Sequence, residues 1–201
     1  MTTFSKGKIS TKSLAATGMM IALTLVLAFT PIGMIRLPII SITIAHVPAI
    51  ITAMVLGLPE GLIVALSFGC ASLFLAATSP SSILDPFFVN PLVSILPRAL
   101  IPVTTYFVYQ GLCKALKKSR HSETISILIA SAIGNLTNTF GVYTMLYLLY
   151  AKEILEKSGK PALTLIIGAI STTTLYKCIG IMIIVLPIVK AVKKFTSNGN
   201  K

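Results

Sequence analysis

Acidic side chains are nearly missing from this chain. It has 5 Asp and Glu against 17 Lys and Arg in 201 residues. That scarcity excludes most general acid–base chemistry, which needs paired carboxylates or a carboxylate-oriented base. No G-x-S-x-G, H-E-x-x-H or P-loop motif occurs, and no carboxylates pair within an apolar segment. His46 and His121 fall in different predicted compartments, and Glu60 and Asp85 on opposite sides. The 3 cysteines, Cys70, Cys113 and Cys178, share no C-x-x-C spacing and read as small buried hydrophobes, neither disulfide framework nor metal set. The expectation is a non-enzyme with no metal and no cofactor.

Charge of either sign is scarce too, at 11% of residues, while 55% are hydrophobic. Ordinary soluble domains are not built this way. Charge-poor blocks run over about 13–29, 42–57, 62–77, 92–113, 125–150 and 163–189, close to the roughly 20 residues that a helical span needs. The sequence therefore predicts an all-α integral membrane protein, residues 1–201 forming one domain of six transmembrane helices.

The net charge of +12 is unevenly placed. Lys6, Lys8 and Lys12 precede the first block, in a segment at 1–12. Lys114, Lys117, Lys118 and Arg120 fill a loop at 114–124. Lys190, Lys193, Lys194 and Lys201 fill a tail at 190–201. Six spans put all three clusters on one side, and the positive-inside rule makes that side, with both termini, cytoplasmic. The opposite side has Arg36, Asp85 and the mixed run Lys152, Glu153, Glu156, Lys157 and Lys160. Contact with an anionic bilayer surface accounts for the basic clusters, so no nucleic-acid partner is expected. A cleaved signal peptide is the alternative for the first block, and it would leave five spans.

The second block is irregular. Residues 37–44 partly alternate and are rich in β-branched side chains, so they read as extended. A helix then begins near His46 and Pro48 and runs to Gly57, about 20 Å, short of the roughly 30 Å hydrocarbon core. A long outer loop at 31–43 is expected to fold back over the bundle. Residues 57–61 (GLPEG) form a tight inner turn. Gly61, Ala65 and Gly69 make a small-residue ridge suited to close helix packing. Tyr106, Tyr109, Tyr143, Tyr147 and Tyr150 suit an interface belt.

Two cations lie inside apolar segments without an acidic residue beside them: Arg98 and Lys177. Charge at membrane depth is costly and faces a bundle interior, a cavity or a ligand. Both side chains lean toward the outer ends of their helices. Asn135 and Asn138 share a face of the fifth helix, three residues apart. Ser94 is one turn before Arg98, and Thr173 and Thr174 are one turn before Lys177. A cavity between the last three helices, open outward and holding a polar anionic solute, would unite them. Structural roles compete: Arg98 also suits backbone carbonyls of the outer loops or Asp85, and the asparagines suit helix–helix bonds. His46 suits either backbone capping or ligand contact. On the first helix Ala15, Gly18 and Ala22 line one face, fit for internal packing or for a partner membrane protein.

Taken in order, these features resemble the substrate-binding S components of energy-coupling factor (ECF) vitamin transporters. The resemblance spans nearly the whole chain. It rests on the six blocks, the Ala15/Gly18/Ala22 face, TIAHVP at 43–48, VLGLPEG at 55–61, a Gly- and Ser-rich third helix, and LPR at 96–98. The stretch from Thr43 to Arg98 is most similar to pantothenate-type members, with riboflavin-type members next.

The resemblance implies an S-component bundle in the cell membrane of a prokaryote. Such a subunit binds a water-soluble vitamin from outside with high affinity, beneath the loop joining the first two helices. It works with a transmembrane coupling protein and two ATPase subunits, so ATP hydrolysis is expected on those partners. It topples in the membrane to release the vitamin inside. The resemblance places Ala15, Gly18 and Ala22 against the coupling protein, although Met19 and Met20 interrupt the strict Ala-x-x-x-Ala pattern. Pantothenate has one carboxylate, two hydroxyls and an amide. Arg98 or Lys177 would hold the carboxylate, with Asn135, Asn138, His46, Thr173, Thr174 and Ser94 as further substrate-binding candidates. A structural or assembly membrane protein without transported ligand is the alternative of another class.

Overall fold

The computed structural model describes residues 11–35, 42–117, 121–159 and 161–198. Lys6, Lys8, Arg36, Lys118, Arg120, Lys160 and Lys201 lie outside the described residues. So does most of the stretch expected to be extended, at 36–41.

Helix α1 spans Thr11–Phe29. A two-residue antiparallel pair follows, β1 (Met34–Ile35) against β2 (Ile42–Thr43), with Met34 opposite Thr43. Then come α2 (Val47–Val55) and α3 (Leu58–Thr78). A 3-10 turn at Asp85–Val89 leads into α4 (Pro91–Ser94) and α5 (Leu96–Ala115). The chain closes with α6 (Ser122–Ser158) and α7 (Ala162–Asn198).

Four helical stretches among the described residues are long and apolar enough to cross a membrane: α1, α3, the pair Pro91–Ala115, and α6. Their outward surfaces carry large apolar side chains, including Met19, Phe74, Phe107, Phe140 and Leu148. Such a surface is stable against lipid and unfavourable against water. Helices α6 and α7 have 37 residues each, about 55 Å, so both outrun a hydrocarbon core of about 30 Å. In α6 the helix is kinked at Tyr150 (φ −132°, ψ 17°).

Helix α2 starts where the sequence predicts, with His46 at its N-cap and Pro48 in its first turn. Its 9 residues cover about 14 Å. Val47 through Met54 are all buried, so α2 is a short internal helix held by the rest of the bundle. The turn into α3 places Gly57 at φ +127°, a conformation that L side chains rarely adopt. The small-residue ridge of α3 also packs as expected: a Cβ on Gly61 would fall 2.9 Å from that of Ala53 in α2 and 3.0 Å from that of Pro102 in α5.

Two expectations need correcting, on the fourth span and on the tyrosines, and one helix runs on past its apolar block. The fourth predicted span is interrupted at Ile95, which separates α4 from α5. The cause is Pro97, which has no amide hydrogen to give the carbonyl of Val93 four residues earlier. Helix α7 runs past the apolar block at 163–189 as far as Asn198. Tyr109 and Tyr143 are buried rather than set in an interface belt. Lys193 of α7 covers Tyr109, its ammonium 4.6 Å from the ring centre and bonded to the phenol.

Candidate functional site

Several of the polar residues singled out within the apolar blocks lie around the start of α2. His46 is fully buried there. Its Nε2 lies 3.2 Å from Oδ1 of Asn135 in α6, and the Asn135 amide donates to Sγ of Cys178 in α7 at 3.1 Å. One chain of contacts therefore ties α2 to α6 and α6 to α7. Lys177 adjoins Cys178, and Phe68 lies between His46, 6.3 Å from its ring centre, and the Arg98 guanidinium, 5.4 Å away.

Several buried polar atoms here have no protein partner: Nδ1 of His46, Nε of Arg98, Oδ1 of Asn138 and Oγ1 of Thr174. Buried polar groups are nearly always hydrogen-bonded, and an unbonded one is expensive. His46 at the start of α2, Arg98 of α5, Asn138 of α6 and Thr174 of α7 depart from that rule, as do Ser82 and Thr105. Thr173 belongs to α7, but its side chain lies outside the described residues.

Arg98 is only 4% exposed. Its Nη1 donates to the carbonyl of Val93 at 2.6 Å, the group that Pro97 leaves without an amide. Its Nη2 donates to Ser72 of α3 at 3.1 Å. The guanidinium carbon lies 5.4 Å from the Phe68 ring centre and 5.0 Å from that of Phe88. Cation–π contacts of this kind gain strength once desolvated. Asp85 is not its ion-pair partner: Asp85 Oδ2 instead accepts from the amides of Ser81 and Ser82, both at 2.9 Å. Among the described residues the one ion pair is Lys193 with Glu123, at 3.1 Å, far along α7.

The cavity beside Arg98 is not the one expected between the last three helices. It is a space of about 50 Å³ bounded by the β pair, α3, the 3-10 turn and Arg98, with Thr43, Phe68, Ser72, Asp85 and Phe88 in its wall. Arg98 turns toward α3 because its two acceptors lie there and on α4. Ser94 is also committed locally, since its hydroxyl bonds the carbonyl of Phe88. Reading the sequence missed Phe68, Ser72 and Phe88. The available signal was Pro97, four residues after Val93, which leaves a carbonyl for the neighbouring arginine to find.

On α1 the small residues face outward. Ala15, Gly18 and Ala22 are exposed, and a Cβ added at Gly18 would meet nothing within 4 Å. The side of α1 packed on the bundle carries Thr17, Thr24 and Ala28. Internal packing therefore does not explain the Ala15/Gly18/Ala22 face.

Among curated proteins no significant relative is found. Solved structures do match significantly. One, from work on the structure and mechanism of the S component of a bacterial ECF transporter, is 24% identical. The match has a TM-score of 0.59 and covers 92% of this chain and 97% of that one. At that identity the likeness establishes the fold. The family described as "ECF transporter, substrate-specific component" matches residues 12–189. The chain belongs to the substrate-specific (S) components of ECF transporters, membrane transport subunits rather than enzymes.

Proposed function

We propose that this S component captures an anionic water-soluble vitamin, pantothenate, for import across the plasma membrane. The observation that carries this reading is the pair Arg98 and Lys177. Both are cations in the apolar bundle, and neither has a carboxylate partner among the described residues. Polar atoms of His46, Asn138 and Thr174, buried in the same bundle, also lack protein partners. A carboxylate would offset the positive charge, and the hydroxyls and amide of pantothenate would serve the orphaned atoms.

In this account the polypeptide crosses the membrane six times, with α2 as a short buried segment, and keeps both termini in the cytoplasm. The vitamin enters from outside, beneath the segment joining α1 and α2. A transmembrane coupling protein docks on Ala15, Gly18 and Ala22, and two ATPase subunits supply the energy. Toppling of the S component then delivers the vitamin inside.

A second reading has a specific observation in its favour. Phe68 and Phe88 flank the cavity at Arg98, and aromatic walls suit a flat ring system such as riboflavin. Riboflavin is neutral and would leave both cations without a counter-charge, so pantothenate is preferred.

The test is thermal stabilisation of the detergent-purified protein by pantothenate, pantothenol, riboflavin, pyridoxine and biotin. A ligand that binds the folded state raises the apparent melting temperature by mass action. Greater stabilisation by pantothenate than by the same concentration of its uncharged alcohol analogue is the expected result. Stabilisation by riboflavin alone would favour the second reading, and no shift by any vitamin in a folded sample would refute both.

A further inference from the structure

The two buried cations are in different chemical states. The terminal nitrogens of Arg98 are engaged, Nη1 by the Val93 carbonyl and Nη2 by Ser72, its guanidinium carbon stands over the rings of Phe68 and Phe88, and Nε alone lacks a partner. These contacts join α5 to α4, to α3 and to the 3-10 turn. Withdrawing the guanidinium toward a ligand would strip the Val93 carbonyl of its partner, a costly loss in a dry site. Lys177 differs on each count. No hydrogen bond or ion pair joins its ammonium to another described residue. Lys177 is half-buried, whereas Arg98 is almost wholly enclosed. One turn earlier, Oγ1 of Thr174 is buried and unpartnered, and Oδ1 of Asn138 on the facing helix α6 is likewise unpartnered.

From this contrast we infer a division of labour, resting on the anionic-vitamin reading above. Lys177 is the specificity-determining residue, and its ammonium takes the carboxylate of the substrate, with Thr174 and Asn138 bonding the neutral polar groups nearby. Arg98 is a clamp that fastens the outer turn to α3 and does not discriminate charge. An ammonium suits the first role, as a point charge with three rotatable donors on a flexible stem. A guanidinium suits the second, because its planar fork bonds two fixed acceptors while its faces stack.

The inference is tested with full-length protein carrying Lys177→Met or Arg98→Lys, read in two ways. With pantothenate and pantothenol as probes, Lys177→Met lowers pantothenate affinity about tenfold to a hundredfold, the effect of losing one charged hydrogen bond. Pantothenol affinity stays unchanged, so the preference for the acid disappears. Arg98→Lys weakens both probes by a similar factor and keeps the preference. Without any ligand, Arg98→Lys lowers the melting temperature, whereas Lys177→Met leaves it unchanged or raises it. The division is overturned if Lys177→Met keeps the acid preference, or if Arg98→Lys removes it without lowering the melting temperature. Should wild-type protein bind no pantothenate, the substrate reading fails on its own. The ligand-free comparison still decides the assignment, and equal or greater destabilisation by Lys177→Met overturns it.

Discussion

Nε2 of His46, at the first turn of α2, lies 3.2 Å from Oδ1 of Asn135 in the middle of α6. The contact joins two residues 89 positions apart in the chain, and neither is exposed. Asn135 spends its amide nitrogen on Cys178, so it serves as the joint between α2, α6 and α7. Replacing Asn135 by Leu leaves His46 and Cys178 without that partner. The expected cost is about 1–3 kcal/mol of stability, together with weaker ligand binding, since the two faces of the site lose register. Thermal unfolding and ligand titration of Asn135→Leu check both.

Cys178 gives a chemical view of the same place. In a Cys70→Ser, Cys113→Ser background only Cys178 remains, half-buried beside Lys177. Its alkylation by a small maleimide is expected to slow when the vitamin is bound, because the solute covers the surface around Lys177. Alkylation rates with and without ligand provide the measurement, and equal rates would place the solute elsewhere.

The outward face of α1 makes a separable prediction. Gly18→Leu adds bulk where a Cβ meets nothing within 4 Å, so the isolated subunit stays folded and binds its vitamin as before. Docking of a coupling protein on a close-packed small-residue face is lost. Co-purification with the ECF module is the readout, with vitamin binding as the control.

Gly57 makes a backbone prediction. At φ +127° the position tolerates glycine and strains other residues. Gly57→Ala is expected to cost about 1–3 kcal/mol, seen as a lower melting temperature, with ligand preference unchanged because the turn lies at the opposite end of α2 from His46.

Much of this architecture was legible where the signal was local. Pro48 marked the start of α2, and residues 57–61 marked the turn into α3. Gly61 and Ala65 marked the ridge that meets α2, and the three-residue spacing of Asn135 and Asn138 marked one buried face of α6. What stayed hidden was non-local. Helical periodicity says which face Arg98 occupies, yet the direction of its long side chain depends on two acceptors, one freed by Pro97 and the other on α3. The same limit applies to Phe68 and Phe88, whose apolar character is unremarkable until the fold brings them to the guanidinium. The tyrosines misled for a related reason: composition suggested a membrane interface, while α7 packs over Tyr109 of α5 and over Tyr143 of α6.

The central claim is that the site is built for an anionic vitamin, and its most direct test is calorimetric titration of the purified wild-type protein with pantothenate, followed by competition with pantothenol. The account predicts saturable one-to-one binding that pantothenol displaces about tenfold to a hundredfold less effectively than unlabelled pantothenate does. Absence of binding by a folded sample, or displacement by pantothenol at equal strength, would contradict it.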